Sequence, residues 1–385
     1  MSSAERRQGT QGWVVGRAAG APVVVTPSWL LAAVVLTAVF APTIQARAPQ
    51  LGGLTWVVAG GFVVMLFVSV FVHELAHGFV ARARGQVVRE FALTLWGGHT
   101  AFGGAAPTPA TSALVAVVGP LANVAIGAVC WAGAQAVPAS GLLGMLLYAG
   151  AVTNGFVALF NLVPGLPLDG GRVLEALVWR VTGDRHAGTV AAGWVGRVVA
   201  VGVLVWALAL PLLDGTRPSL FTVGWAGLVG AFLWSGASAA VRDGRTGRRL
   251  DLITVESVGL PATAVPADAT LADADRARSA AGVDDVVLVS PEGRPEAYVD
   301  RDAAAGVPSG QRSSTPVAAV AVVLPPGAVV DGTLRGAELV GAVGHATRLS
   351  PVMAVVADGR VTALVRATDV VAALRHVGPG APARS

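Results

Sequence analysis

Charge is scarce in this chain. Charged residues make up 13% of its 385 residues, about half the roughly 25% usual in a soluble domain. That scarcity excludes disorder, which needs low hydrophobicity and high charge, and it excludes one ordinary soluble domain. Lysine is absent, and all 27 basic residues are arginine. Cysteine occurs once, at Cys130, so no internal disulfide and no multi-cysteine zinc site can form. Acidic residues are rarest in residues 1–250, where eight of them face sixteen arginines, for a formal charge of +8. Residues 251–385 hold fifteen acids against eleven arginines, for −4, and contain no tryptophan; all ten Trp precede them. The chain therefore divides into an apolar, Trp-rich part and a mildly acidic soluble part. Nucleic acid is not an expected partner. The arginines stand beside apolar runs, where they orient membrane spans.

What the first part does contain is long apolar stretches. A bilayer span needs about 20 such residues, and six stretches approach or reach that length. They run over Trp29–Ala41, Leu54–Ala81, Ser112–Ala136, Gly141–Leu162, Val190–Leu212 and Leu220–Val241, the first bounded by Pro27 and Pro42. Residues 1–26 have Arg6, Arg7 and Arg17 but no apolar core of their own, so they read as a cytoplasmic N-terminal segment rather than a signal peptide. Arginine clusters precede span one and follow spans two, four and six; the opposite side has Arg47 and Arg217 and little else. The positive-inside bias places both termini in the cytoplasm, which an even number of spans allows. Between spans two and three, Phe91–Gly104 is rich in glycine and strand-forming residues and reads as a hairpin or re-entrant loop. Non-helical backbone at membrane depth is tolerated where protein buries it or water reaches it.

Beyond an Arg-rich linker at 242–250, residues 251–376 alternate short strands with short helices. The strands fall at Val286–Ser290, Val317–Leu324, Val352–Val356 and Thr362–Val365, and the helices at Leu271–Ala281 and Asp369–Arg375. Two halves share a pattern: Gly293-Arg294 followed by Asp302, and Gly359-Arg360 followed by Asp369. Residues 377–385 read as a disordered tail. The expected architecture is a polytopic α-helical membrane protein with about six transmembrane helices, followed by a small cytoplasmic α/β domain.

The eight acids of residues 1–250 mostly lie near span ends or in loops. Glu74 lies inside span two, and an intramembrane ionisable group is functional by default. Its surroundings read His73-Glu74-Leu75-Ala76-His77. On a helix, His73 and His77 project from one face and can grip one zinc ion, while Glu74 can act as general base beside it. Polar helix packing is the alternative for the two histidines. Catalytic zinc usually takes three protein ligands, and Asp169 is the best third candidate. It follows Pro164 and Pro167, which break the end of span four on the same side as the two histidines. Asp169 as an N-cap of a helix over Arg172–Val181 is the competing reading.

These residues resemble the site-2 protease family of intramembrane zinc metalloproteases. That family pairs H-E-x-x-H in one transmembrane helix with N-x-x-P-x-x-x-x-D-G in a later one, here Asn161, Pro164, Asp169 and Gly170. Gly119-Pro120-Leu121-Ala122-Asn123 is similar to its intervening G-P-x-x-N element, and Gly97-Gly98 to its re-entrant segment. Six spans with a cytoplasmic tail look like the bacterial and archaeal branch carrying a cystathionine-β-synthase-type (CBS) domain pair. The resemblance implies one Zn²⁺ per chain, held by His73, His77 and Asp169, with Glu74 activating water. It implies that Asn161 and Asn123 engage substrate or polarise the scissile carbonyl; interhelical hydrogen bonding is the alternative. His99 reads as a loop histidine. The implied activity is a metalloendopeptidase of the cell membrane that cuts transmembrane or juxtamembrane segments of regulatory membrane proteins, such as anti-sigma or pro-sigma factors. The implied partners are that substrate, membrane lipid, and a second copy through the CBS-like domain. The tail departs from the CBS nucleotide pattern, since Arg366 and Val299 stand where Thr or Ser would precede Asp369 and Asp302. Rival classes are a CBS-regulated ion transporter or channel, whose polar groups would line several spans, and an inactive client-binding scaffold.

Overall fold

The computed structural model describes residues 10–94, 97–104, 107–138 and 141–376. Arg6, Arg7 and the 377–385 tail lie outside the described residues, as does the side chain of His376. The chain forms two units, Met1–Gly244 and Arg245–Ser385.

The first unit begins with two strands that the sequence reading did not separate from the N-terminal segment. These are β1 (Trp13–Ala18) and β2 (Ala21–Val25), joined by a tight turn at Ala19 and Gly20, both at positive φ. Helices α1 (Pro27–Arg47) and α2 (Leu54–Ala83) follow, then strands β3 (Gln86–Thr94) and β4 (Gly97–Gly104). Next come α3 (Pro109–Gln135), α4 (Leu142–Asn161), α5 (Asp169–Thr182), α6 (Arg185–Leu213) and α7 (Leu220–Leu250). Six of these helices, all but α5, are long and apolar enough to cross a membrane. The polytopic helical architecture is therefore present.

Several span boundaries move. α1 runs from Pro27 through Pro42 to Arg47 rather than stopping at the second proline. Pro27 occupies the first turn, where no N–H is needed, and an internal proline is tolerated in membrane helices. α6 starts at Arg185 because the Asp184 carboxylate accepts the Ala187 N–H at 3.0 Å and caps the helix there. α7 continues through 242–250, so the Arg-rich linker is helical. Apolarity marks the part of a helix that meets lipid; it does not mark where the helix ends.

Of the hairpin and re-entrant loop that the glycine-rich pattern of Phe91–Gly104 allows, the antiparallel pairing of β3 with β4 favours the hairpin. It belongs to a four-stranded sheet in the order β1-β2-β3-β4, with β2 parallel to β3 and the other pairs antiparallel. The sheet sits on α2 through Gly78: a Cβ there would stand 2.5 Å from Phe91 Cε1. Only glycine lets the buried Phe91 ring lie against the helix backbone.

The second unit comprises α8 (Val255–Val258), β5 (Gly259–Pro266), α9 (Leu271–Ala281), β6 (Asp285–Val289), β7 (Pro295–Val299), α10 (Arg301–Ala305), β8 (Ala321–Val323), β9 (Val329–Asp331), α11 (Gly336–Ala346), β10 (Val352–Ala357), β11 (Arg360–Arg366) and α12 (Ala367–His376). Its seven-stranded sheet has the order β8-β7-β6-β5-β11-β10-β9. The two halves repeat one succession: strand, helix, parallel strand, antiparallel strand, helix. β5-α9-β6-β7-α10 is one copy and β9-α11-β10-β11-α12 the other. Gly293 and Gly359 occupy matching hairpin turns, at φ 80 and φ 74. Each half has its own buried core, one around Leu271, Leu288 and Val317, the other around Leu339, Met353 and Leu364. The strand expected over Val317–Leu324 is a 3₁₀ turn at Val317–Val320 followed by β8; Val317 is fully buried in the turn.

Candidate metal centre and cleft

α2 carries His73 and His77 four residues apart, and both are buried, at 6% exposure. Their Nε2 atoms face each other at 3.0 Å with ring planes 83° apart. Asp169 comes from the loop that breaks α4. That loop is pinned to α6 by the Leu166 N–H donating to the Ala192 carbonyl at 3.1 Å. Gly165 and Gly196 touch there, since a Cβ on Gly165 would stand 2.7 Å from Gly196 Cα. Asp169 Oδ2 consequently lies 3.0 Å from His73 Nε2 and 3.4 Å from His77 Nε2. The N-cap alternative for Asp169 does not hold. Asp169 is the first residue of α5, Leu168 is its N-cap, and no side chain caps the helix. The carboxylate points to the histidines instead, at the helix end where the dipole favours negative charge.

The hydrogen bonds of the outer ring nitrogens fix what faces inward. His77 Nδ1 donates to the Val115 carbonyl at 2.6 Å, and His73 Nδ1 donates to Asn123 Oδ1 at 2.5 Å. A carbonyl only accepts, so both Nδ1 atoms carry hydrogen, and in the neutral imidazoles both Nε2 atoms present lone pairs. Asp169 Oδ2 is buried, and the two Nε2 atoms are the polar groups that face it. With the imidazoles neutral, three lone-pair donors converge on one point, an arrangement that suits a bound cation. Their separations, 3.0 to 3.4 Å, match the roughly 3.3 Å between ligand atoms of a tetrahedral ion bound at about 2.05 Å. The three residues fit a zinc ion. Gly119 of α3 lies directly on this cluster: a Cβ there would be 2.6 Å from His73 Nε2 and 2.5 Å from His77 Cε1.

Glu74 is 8% exposed and stays outside the three-donor cluster. Its Oε2 accepts the Thr100 hydroxyl at 2.7 Å, and the Gly98 backbone of β4 presses on its side chain. Glu74, His77 and Asp169 open into a cleft of about 430 Å³, whose wall is built by β4, including Gly98, His99 and Thr100. His99 is therefore part of that wall.

For Asn123 the resemblance implies a place at the substrate, with interhelical hydrogen bonding as the alternative, and the geometry favours the alternative. Asn123 is fully buried; its amide donates to Ser69 Oγ and to Asn154 Oδ1, both at 2.9 Å, while its oxygen holds His73. Both amide hydrogens are taken, so none remains for a substrate carbonyl, and the interhelical alternative is the one adopted. Asn161 ends α4 half-buried, and it neither joins the three donors nor lines the cleft among the described residues. Ser69 and Asn154 were missed. Ser69 also donates to Asn154 Oδ1. A signal was available for Ser69, which precedes His73 and His77 at four-residue steps on one helix face.

Residues 61–139 and 134–205 match the model of Peptidase family M50. The chain is 34% identical over 257 residues to "Putative zinc metalloprotease sll0528" of Synechocystis, covering 64% of each chain. It thus spans just under two thirds of that relative's length. A solved structure, the site-2 protease from Methanocaldococcus jannaschii, is similar with a TM-score of 0.41 and 26% identity, over 60% of this chain and 95% of that one. Another, the CBS domain of a bacterial CNNM/CorC family Mg²⁺ transporter, is similar with a TM-score of 0.26 and 14% identity, over 40% of this chain and 98% of that one. The residues that match the family model lie within the first unit, with His73, Glu74, His77 and Asp169 among them.

Proposed function

We propose that this chain is a zinc-dependent endopeptidase that cuts peptide bonds in or beside the transmembrane segment of single-span membrane proteins. The observation that carries this reading is the convergence of Asp169, at the start of α5, on His73 and His77, which lie with Glu74 inside a helix apolar enough to span a membrane. When bound, zinc polarises a carbonyl oxygen and lowers the pKa of water. The chain's own residues supply the rest. Asn123 and the Val115 carbonyl hold the two imidazoles in the donor tautomer, as outer hydrogen bonds do for metal-binding histidines. Glu74, on the cleft side, takes the proton of the attacking water and returns it to the leaving nitrogen. Thr100 keeps the Glu74 carboxylate turned toward β4.

A substrate helix satisfies its own backbone, so it must unwind before its peptide bond is open to water. β4 is the last strand of its sheet and lines the cleft. Its free edge can take an extended substrate segment as an added strand, and Gly97, Gly98, Gly103 and Gly104 let that segment approach closely. Anti-sigma or pro-sigma factors held in the membrane are substrates of the right form. In this reading the protein lies in the cell membrane with both termini cytoplasmic, and the second unit pairs with a second copy.

The test uses the purified full chain with a single-span substrate, followed by mass spectrometry of the products. Cleavage should stop when a chelator strips the metal and return on addition of zinc. Cleavage that persists in the stripped protein would overturn the assignment.

A further inference from the structure

α6 carries one charge that the cleft does not use. Arg197 lies twelve residues beyond Arg185, about 18 Å along the helix axis. The stretch after it, 198–213, contains no charged residue, and neither does 220–241 of α7. Arg197 therefore marks the start of the uncharged stretch of α6, and through Ser238 it lies about one turn inside that of α7. No carboxylate pairs with it among the described residues. Its guanidinium carbon stands 4.6 Å from the Trp194 ring centroid and 5.3 Å from that of Trp234. Its Nε donates to Ser238 Oγ at 3.1 Å. Both tryptophans are about half exposed on the outer surface. The four N–H groups at the end of the fork have no partner among the described residues, so a planar cation is held against two tryptophan rings with its outer N–H groups unused.

A second observation adjoins this one. A groove of about 360 Å³ runs between Ala200, Val201 and Leu204 of α6 and Gly227, Gly230 and Ala231 of α7, with Trp234 at its near end. These residues are wholly apolar. They lie on the far side of Arg197 from Arg185, along the uncharged stretches. A cationic fork thus stands at one end of an apolar groove, with the polarity of a lipid in one leaflet.

We infer that Arg197, Trp194, Trp234 and Ser238 form a binding site for the headgroup phosphate of an anionic phospholipid, with one acyl chain in the α6–α7 groove. The fork matches two phosphate oxygens, and aromatic faces and arginine are suited to the headgroup level. This inference rests on the membrane reading of α6 and α7. It does not depend on the peptidase reading, because no group of the cleft takes part.

Native mass spectrometry of the full chain in detergent tests it, by titration with phosphatidylglycerol and phosphatidylcholine. Wild type should bind one phosphatidylglycerol about fivefold more tightly than phosphatidylcholine, the discrimination expected from one arginine near an anionic headgroup. Arg197→Gln should abolish the difference, and Arg197→Lys should keep part of it. Gly227→Leu, where a Cβ meets nothing within 4 Å, should fold normally and weaken both lipids by filling the groove. Equal binding of the two lipids by wild type, or an unchanged preference in Arg197→Gln, would overturn the inference. So would displacement of phosphatidylglycerol by millimolar inorganic phosphate, which would make free phosphate the ligand, or by a single-span helical peptide, which would make a protein the occupant.

Discussion

Gly119→Ala adds a single methyl group to α3, at the most demanding point of the protein. The new Cβ would stand 2.6 Å from His73 Nε2 and 2.5 Å from His77 Cε1. Ordinary contact begins near 3.5 Å, so the imidazoles or the helix must retreat by about 1 Å. The rings have little freedom to do so. His77 is tied to the Val115 carbonyl and His73 to Asn123, whose amide is tied to Ser69 and Asn154. Metal–ligand distances tolerate about 0.2 Å, so two of three ligands leave coordinating range together. The loss should exceed the 10–100-fold typical of a disturbed outer-shell partner, or about 1.4–2.8 kcal/mol and more. Zinc content at buffered free zinc, measured on protein that elutes as wild type does, reads the effect. A Gly119→Ala protein with wild-type zinc affinity would refute the placement of Gly119 on the cluster and the convergence it implies.

Other outcomes follow from the same geometry. Asp169→Asn replaces a buried carboxylate oxygen with a neutral amide, and most bound zinc should be lost by elemental analysis; full stoichiometry would remove Asp169 from the ligand set. Asn154→Leu removes the partner that both Ser69 and Asn123 address, so zinc affinity should fall about 10–100-fold although the residue touches no ligand; an unchanged zinc titration would show that the network does not orient His73. In the second unit, Arg301→Met strands the Asp285 carboxylate, which is 2% exposed and accepts from Arg301 Nε at 2.8 Å and Nη2 at 2.5 Å. Loss of a fully buried pair costs about 3–5 kcal/mol; with Arg301 itself about half exposed, roughly 1–3 kcal/mol is expected in denaturant unfolding, and a change below about 0.5 kcal/mol would contradict it.

How much of this was legible varies with the physics of each element. The two histidines were legible because four residues on a helix is one face, and an ionisable group in an apolar run is expensive enough to stand out. Asp169 was legible through the prolines that break α4, but its competition with an N-cap role was settled only by the turn of the chain around Leu166. β1 and β2 were not legible. They are short, β1 is almost wholly exposed, and β2 takes its place by parallel pairing with β3, more than sixty residues away. Asn123 shows a different limit. A motif marks a residue without saying which way its amide points, and here it faces the back of a ligand rather than the cleft. In the second unit the turns at Gly293 and Gly359 were readable because positive φ favours glycine. β5, β7 and β9, by contrast, lack an alternation strong enough to announce them.

The central claim is that a zinc ion held by His73, His77 and Asp169 works together with Glu74 as the proton carrier. The most direct measurement pairs zinc content with substrate cleavage in purified Glu74→Gln. Glu74 lies outside the three-donor cluster, and glutamine keeps its size while removing its basicity. The account predicts wild-type zinc stoichiometry with cleavage lost. A Glu74→Gln protein that holds zinc and still cleaves at the wild-type rate would contradict it.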